Sequence, residues 1–180
     1  MAKNRILPAT QKEFKSSKDS IVADLFNQGF VATLSKDTTF FTPAKAAEYT
    51  EDVLMGAGKR WLAENAKKEG VKVTPSGLQY KVLKEGNGEV PKASDEVEVI
   101  YEGRMLDGTV FDATSKHHGA KTDKFNAGRL IKGWTEALTM MPVGSKWEIY
   151  IPQELAYGER GAGQIPPYST LVFDLELVSI

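Results

Sequence analysis

Few residue types in this chain are equipped for covalent chemistry. It has no cysteine, which excludes thiolate nucleophiles, disulfides and cysteine-rich zinc sites together. Its two histidines are neighbours, His117 and His118, so neither a Ser-His-Asp triad nor a multi-histidine metal site is easily built. A solvent-exposed loop is the reading for that Lys/Gly-rich stretch. Gly56-Ala57-Gly58-Lys59-Arg60 looks like a fragment of a phosphate loop, but the motif needs a glycine where Val53 stands and a Ser or Thr where Arg60 stands. The carboxylate pairs Glu96/Glu98 and Asp174/Glu176 alternate with apolar residues, which puts them on the solvated face of strands and not in an acid/base dyad.

The unusual feature that remains is aromatic. Tyr101, Phe111, Phe125, Trp134, Tyr157 and Phe173 each stand next to a glycine or a polar residue, and Ile165-Pro166-Pro167 lies in a proline-rich loop. Aromatic residues usually serve a core. Asp112, directly after Phe111, would be an awkward charge in a fully buried one. An apolar cup with one carboxylate and tyrosine hydroxyls at its rim has the form of a small-ligand or peptide site.

Two differently built halves must position these residues. Of 16 glycines, 4 lie in residues 1–75 and 12 in residues 76–180, while the net charge passes from +3 to −4. In the first half Ile21, Val22, Leu25, Phe26, Gly29 and Phe30 follow helical spacing, with Ser17 as N-cap and Asp19 in the first turn. Thr42-Pro43 opens a second helix-compatible run, Ala44 to Glu69, that ends at Gly70; it would be ~26 residues and ~39 Å long. The apolar stripes of these helices either pack on the C-terminal half or, as the small size of the segment favours, pair with another chain.

The second half changes period. Leu78–Leu83, Val97–Tyr101, Lys146–Ile151 and Leu171–Leu177 alternate as half-buried antiparallel strands do. Gly86-Asn87-Gly88 and Asp107-Gly108 read as turns, and only Leu130 to Met141 reads as a helix. The fold class expected is α+β, an antiparallel sheet with one short helix covering its inner face.

The formal charge, 23 basic against 24 acidic residues or −1, supplies no bulk attraction to nucleic acid or to an anionic membrane. No run approaches the ~18 consecutive apolar residues of a membrane span. The basic N-terminus lacks a signal core, so the compartment expected is the cytoplasm, or the periplasm or outer membrane if a signal peptide has been removed.

Several blocks occur in a familiar order: Val99-Ile100-Tyr101-Glu102-Gly103, Asp107-Gly108-Thr109-Val110-Phe111-Asp112, Leu130-Ile131-Lys132-Gly133-Trp134, Ala156-Tyr157-Gly158, Ile165-Pro166-Pro167 and Leu171-Val172-Phe173-Asp174. Together they resemble an FKBP-type peptidyl-prolyl isomerase domain over about Ser76 to Ile180. Upstream, Trp61 to Val71 and Thr74-Pro75-Ser76-Gly77-Leu78-Gln79-Tyr80 are similar to the linker of the bacterial Mip-like and 22-kilodalton subgroup.

The resemblance implies a division into a helical dimerisation and linker segment, residues 1–75, and an isomerase domain, residues 76–180. It implies proline-containing polypeptide substrates, macrolide inhibitors, a homodimer through the N-terminal helices, and no need of a cofactor or metal; no nucleic acid partner and no membrane span are expected from the charge and hydropathy above. Trp134 would floor the pocket, with Tyr101, Phe111, Ile131, Phe125 and Phe173 around it and Leu130 and Ile165 near the mouth. Tyr157 would donate to a substrate carbonyl, and Asp112 would sit by the twisting carbonyl or hold Tyr101. Two places depart from the family pattern. Thr122-Asp123-Lys124 brings a charge toward the pocket rim, favouring basic flanking residues or lowering activity, and Gly163-Gln164-Ile165 is a shorter loop with a polar residue. These departures favour the alternative of a proline-segment binding module or holdase chaperone with little turnover.

Overall fold

The computed structural model describes residues 55–117 and 119–180. The expected helix around Ile21–Phe30 and the start of the one opening at Thr42-Pro43 lie outside the described residues. Residues 55–65 form helix α1. It stops short of the expected Glu69: Lys67 and Lys68 bond back to the Glu64 and Asn65 carbonyls in i→i+3 turns, while the Asn65 side chain, 1% exposed, turns inward.

Seven strands follow: β1 (Val71–Val73), β2 (Gln79–Lys84), β3 (Glu96–Met105), β4 (Val110–Ala113), β5 (Asp123–Asn126), β6 (Lys146–Ile151) and β7 (Leu171–Ser179). Helix α2 (Lys132–Leu138) lies between β5 and β6. The strands make one antiparallel sheet in the order β1-β2-β6-β7-β3-β4, with β5 also paired to β3. The alternation read from the sequence holds along β3, where Val97, Val99, Tyr101 and Gly103 are buried between exposed or half-buried neighbours. It holds equally along β7, where Phe173, Leu175 and Leu177 face inward and Asp174, Glu176 and Val178 do not.

β3 is the axis of the site. One edge pairs with β7 from Glu98 to Met105. The other is shared: β5 takes Glu96 to Val99 and β4 takes Glu102 to Arg104. Residues 114–122 therefore leave and rejoin the same edge of one strand.

α2 packs its buried face, Trp134, Ala137 and Leu138, into the core with Leu78, Val97, Val99, Ile149, Ile151, Leu175 and Leu177, following the i, i+3, i+4 spacing of an amphipathic helix. The close approach requires glycine: a Cβ at Gly133 would lie 2.5 Å from Ile151 Cγ2. The helix is shorter than expected because Leu130 and Ile131 are extended, with Ile131 at φ −59° and ψ 147°.

α1 belongs to a second, smaller cluster, in which Leu62 and Trp61 meet Tyr150, Val172 and Val71. Tyr150 and Val172 alternate with the core residues Ile149, Ile151, Leu171 and Phe173, so this cluster occupies the sheet face away from α2. Gln79 locks the junction by donating to the Leu62 carbonyl at 2.9 Å and accepting from Asn65 Nδ2 at 3.0 Å. The part of the long helix that is described thus packs on the sheet of its own chain. On the same side Arg104 bridges Glu148 at 2.6 Å and Asp174 at 2.7 Å, in keeping with Asp174 on the polar face of its strand.

Candidate functional site

Tyr101, Phe111, Asp112, Phe125, Leu130, Ile131, Trp134, Tyr157 and Phe173 line one cavity of about 160 Å³. That is close to the roughly 150 Å³ that accepts a single benzene ring in a protein interior. Nine of the ten residues singled out in the sequence come together here. The tenth, Ile165, is 7% exposed and belongs to the core beside the cavity rather than to its wall.

Backbone geometry explains how neighbouring residues share this wall. Phe111 and Asp112 are consecutive in β4 and would ordinarily point to opposite faces. The register shifts between Gly103 and Arg104, which pair with Asp112 and Val110 respectively, leaving Phe111 as the extra residue of a bulge. A bulge re-aims a side chain, and here both residues reach the cavity. The extended pair Leu130-Ile131 ahead of α2 delivers two more aliphatic side chains, and the first turn of the helix delivers Trp134.

Trp134 is the centre of the aromatic set. Tyr101, Phe173 and Phe125 meet it edge-on at centroid distances of 5.0, 5.3 and 5.9 Å, with interplanar angles of 84–87°. Phe111 in turn meets Phe173 at 5.5 Å and 85°. These are favoured edge-to-face arrangements, each worth ~0.5–1.5 kcal/mol beyond the burial of area. Gly103 makes room for them, since a Cβ there would lie 2.5 Å from Phe173 Cε1 and 2.8 Å from the Phe111 ring. The Trp134 indole N–H is buried without a partner among the described residues.

The polar groups form a chain along one side. The Tyr101 hydroxyl donates to Asp112 Oδ2 at 2.7 Å. The other Asp112 oxygen accepts from the Ala113 backbone N–H at 2.9 Å and contacts His117 Nε2 at 3.1 Å. His117 Nδ1 lies 3.0 Å from Asp123 Oδ1. Burial first, and then the bond to Asp112, pushes the Tyr101 phenol far above its ordinary range, so it stays a donor. Burial and the nearby Asp112 charge likewise raise Tyr157. Tyr157 is 39% exposed, and its hydroxyl has no hydrogen-bond partner among the described residues.

Two expectations are corrected here. His117 is not a bare loop residue: its side chain is 39% exposed and bridges two carboxylates. Asp123 is not among the residues that line the cavity: its side chain is 15% exposed, one oxygen meets His117 and the other is buried without a partner among the described residues, and its charge reaches the cavity through its effect on Tyr101. The sequence signal available for His117 was an aspartate on either side of it, five and six residues away. Spacing alone could not show that the loop folds back to bring both within reach. Gln164 is exposed and does not line the cavity.

Residues 87–178 match the family model described as FKBP-type peptidyl-prolyl cis-trans isomerase, and residues 52–82 match the domain amino terminal to it. A 22 kDa FKBP-type peptidyl-prolyl cis-trans isomerase of Escherichia coli K12 is 56% identical over 124 residues, 68% of this chain and 59% of that protein. The peptidyl-prolyl cis-trans isomerase Mip of Coxiella burnetii is 50% identical over 123 residues, 68% of this chain and 53% of that one. The matched part thus spans somewhat over half the length of these curated relatives. Among solved structures, FkpA from Escherichia coli superposes with a TM-score of 0.69 at 36% identity, covering 99% of this chain and 82% of that one. A Pseudomonas syringae peptidyl-prolyl cis-trans isomerase superposes at 0.67 with 38% identity, covering 72% and 94%.

Proposed function

Because the chain belongs to the FKBP-type peptidyl-prolyl cis-trans isomerase family, we propose that it accelerates rotation about Xaa-Pro peptide bonds in folding polypeptides. The observation that carries this reading is the cavity of single-ring size walled by aromatic and aliphatic side chains, with Asp112 as its one charged lining residue. The amide bond has partial double-bond character and a rotation barrier of ~18–20 kcal/mol. Before proline, uncatalysed rotation takes roughly tens to hundreds of seconds, long enough to limit folding. No bond is made or broken, so the reaction needs neither nucleophile nor metal.

The planar amide is dipolar through resonance, and twisting it removes resonance and part of the charge separation. An apolar cavity withdraws hydration from the planar form more than from the twisted one, and the barrier falls. A ~10⁴-fold acceleration requires about 5.5 kcal/mol of such preference. The proline ring would rest on Trp134 between Tyr101, Phe111 and Phe173, with Leu130 and Ile131 along the flanking backbone. The Tyr157 hydroxyl would donate to a substrate carbonyl. Asp112 already accepts from Tyr101 and Ala113 and contacts His117, which suits it to fix the rim and present negative charge, not to abstract a proton. The same cavity is the proposed site for macrolide inhibitors.

A direct isomerisation assay on a proline tetrapeptide tests the reading. Wild type is expected to exceed the uncatalysed rate by orders of magnitude. Asp112→Ala, which strips Tyr101 and His117 of their shared acceptor, should lower kcat/KM by roughly tenfold to a hundredfold, about 1.4–2.7 kcal/mol. Wild-type turnover at the uncatalysed rate would sink the enzymatic claim and leave a proline-binding module.

We assign the dimer contact to the helical segment within residues 1–75 and the isomerase unit to residues 76–180. The stripe Ile21, Val22, Leu25, Phe26 and Phe30 supports this, since one short amphipathic helix has too little area to bury alone. Light scattering of the full chain should give twice 19.8 kDa; a monomer would refute the assignment.

A further inference from the structure

Resting on the isomerase reading, we propose that His117 is a positioning residue: as an imidazolium it clamps Asp112 to Asp123 and so fixes the Tyr101 side of the cavity, and losing its proton releases that rim. The cavity itself does not contain His117, so any effect on turnover passes through the residues it holds.

Both ring nitrogens of His117 lie within 3.1 Å of carboxylate oxygens, Asp112 Oδ1 and Asp123 Oδ1. An ionised carboxylate only accepts hydrogen bonds, and a neutral imidazole has one donor and one acceptor nitrogen. The two contacts can be hydrogen bonds together only when both nitrogens carry protons. In either neutral tautomer one nitrogen lone pair faces an oxygen lone pair about 3 Å away, and that end of the clamp must open.

The partners come from different strands. Asp112 is in β4, Asp123 in β5, and the Tyr101 ring in β3 lies 6.2 Å from the imidazole. Two flanking lysines are engaged elsewhere: Lys116 donates to the Val110 carbonyl, and Lys124 pairs with Glu98 at 2.8 Å. The two aspartates are accordingly the charges that act on the ring, with the Asp123 bond leading, and they raise the histidine above its ordinary 6.5. A raised value means the clamp is complete below about pH 6.5 and is lost as pH climbs through the folded-state value. Opening at the Asp112 end frees the carboxylate that receives Tyr101. Opening at the Asp123 end leaves a half-buried carboxylate, one oxygen of which is already without a partner among the described residues.

The test is kcat/KM on a proline tetrapeptide by NMR exchange, which needs no coupling protease, from about pH 5 to about pH 9. It is read beside the His117 imidazole and Tyr101 ring resonances over the same range. Wild type is expected to lose roughly threefold to tenfold in kcat/KM with the midpoint of His117, and the Tyr101 ring shifts should move with the same midpoint. His117→Ala should be low and flat, whereas His117→Arg, a cation with several donors at every pH, should be flat and closer to the acidic wild-type value. Asp123→Asn should bring the His117 midpoint down toward 6.5. A His117→Ala enzyme with the wild-type rate and profile would overturn the inference, as would Tyr101 resonances indifferent to the imidazole. Absence of wild-type turnover at every pH fails the isomerase reading separately; the coupling of the Tyr101 and His117 resonances then decides the clamp.

Discussion

Trp134→Ala is expected to abolish turnover and to cost about 3–5 kcal/mol of stability, the range for removing a large aromatic from a core. The side chain is 3% exposed and three other rings rest edge-on against it. Its removal would merge the cavity with a void beneath, so that a proline ring would find neither a floor nor a dry wall. Trp134→Phe separates the two losses. The indole N–H has no partner among the described residues, so phenylalanine forfeits no hydrogen bond there; it keeps an aromatic floor and should retain most of the stability and measurable activity. Urea unfolding followed by circular dichroism, together with the tetrapeptide assay, reads both quantities. Full turnover in Trp134→Ala would mean that the chemistry is elsewhere.

The second large effect is expected at a residue with no side chain. Gly103→Val introduces a Cβ that would sit 2.5 Å from Phe173 and 2.8 Å from Phe111, distances that force one of the rings to move. Phe173 cannot recede without disturbing Trp134, and Phe111 is fixed by the bulge that aims it inward. Overpacking of this kind costs typically ~1–3 kcal/mol, and a value near the upper end is expected because two rings are blocked. Turnover should fall to the uncatalysed rate, since both displaced rings wall the cavity. Ile100→Ala, on the same strand but 41% exposed on the other face, is the control and should stay within about 0.5 kcal/mol. Equal unfolding midpoints for the two variants would show that the rings have room the structure does not suggest.

What could be read from the sequence, and what could not, follows from the range of the forces involved. β2, β3, β6 and β7 were legible because each turns alternate side chains into the core beneath α2, which writes a period of two into the residues themselves, even though Gln79, Tyr150 and Val172 are also buried on the opposite face. β1, β4 and β5 were not: Val71–Val73, Val110–Ala113 and Asp123–Asn126 are only three or four residues long, and they are strands only because a distant edge is there to pair with. The overrun at the start of α2 has a similar origin. Leu130 and Ile131 have the right composition for a helix, but the cavity draws them out in extended backbone. In the site, the aromatic residues announced themselves by type and order. That Phe111 and Asp112 face the same way could not be inferred from alternation, which assigns consecutive residues to opposite faces; only the bulge resolves it. His117 was illegible for the plainest reason, that its partners are brought to it by the pairing of β4 and β5 with a shared strand.

That shared strand gives the protein an exchangeable part. Because β4 and β5 both rejoin one edge of β3, the stretch between them is anchored at each end by ladder bonds that do not depend on what lies in the middle. Lengthening such an excursion is thermodynamically cheap, with each doubling of a loop costing only about 0.6 kcal/mol. The floor and walls are committed to the core, and Thr114 and His117 to the Tyr101 side of the cavity, whereas the exposed Gly119, Ala120 and Lys121 are free to vary. New selectivity could therefore be acquired by lengthening or rewriting residues 119–121 alone, a change of attachment on an unaltered tool.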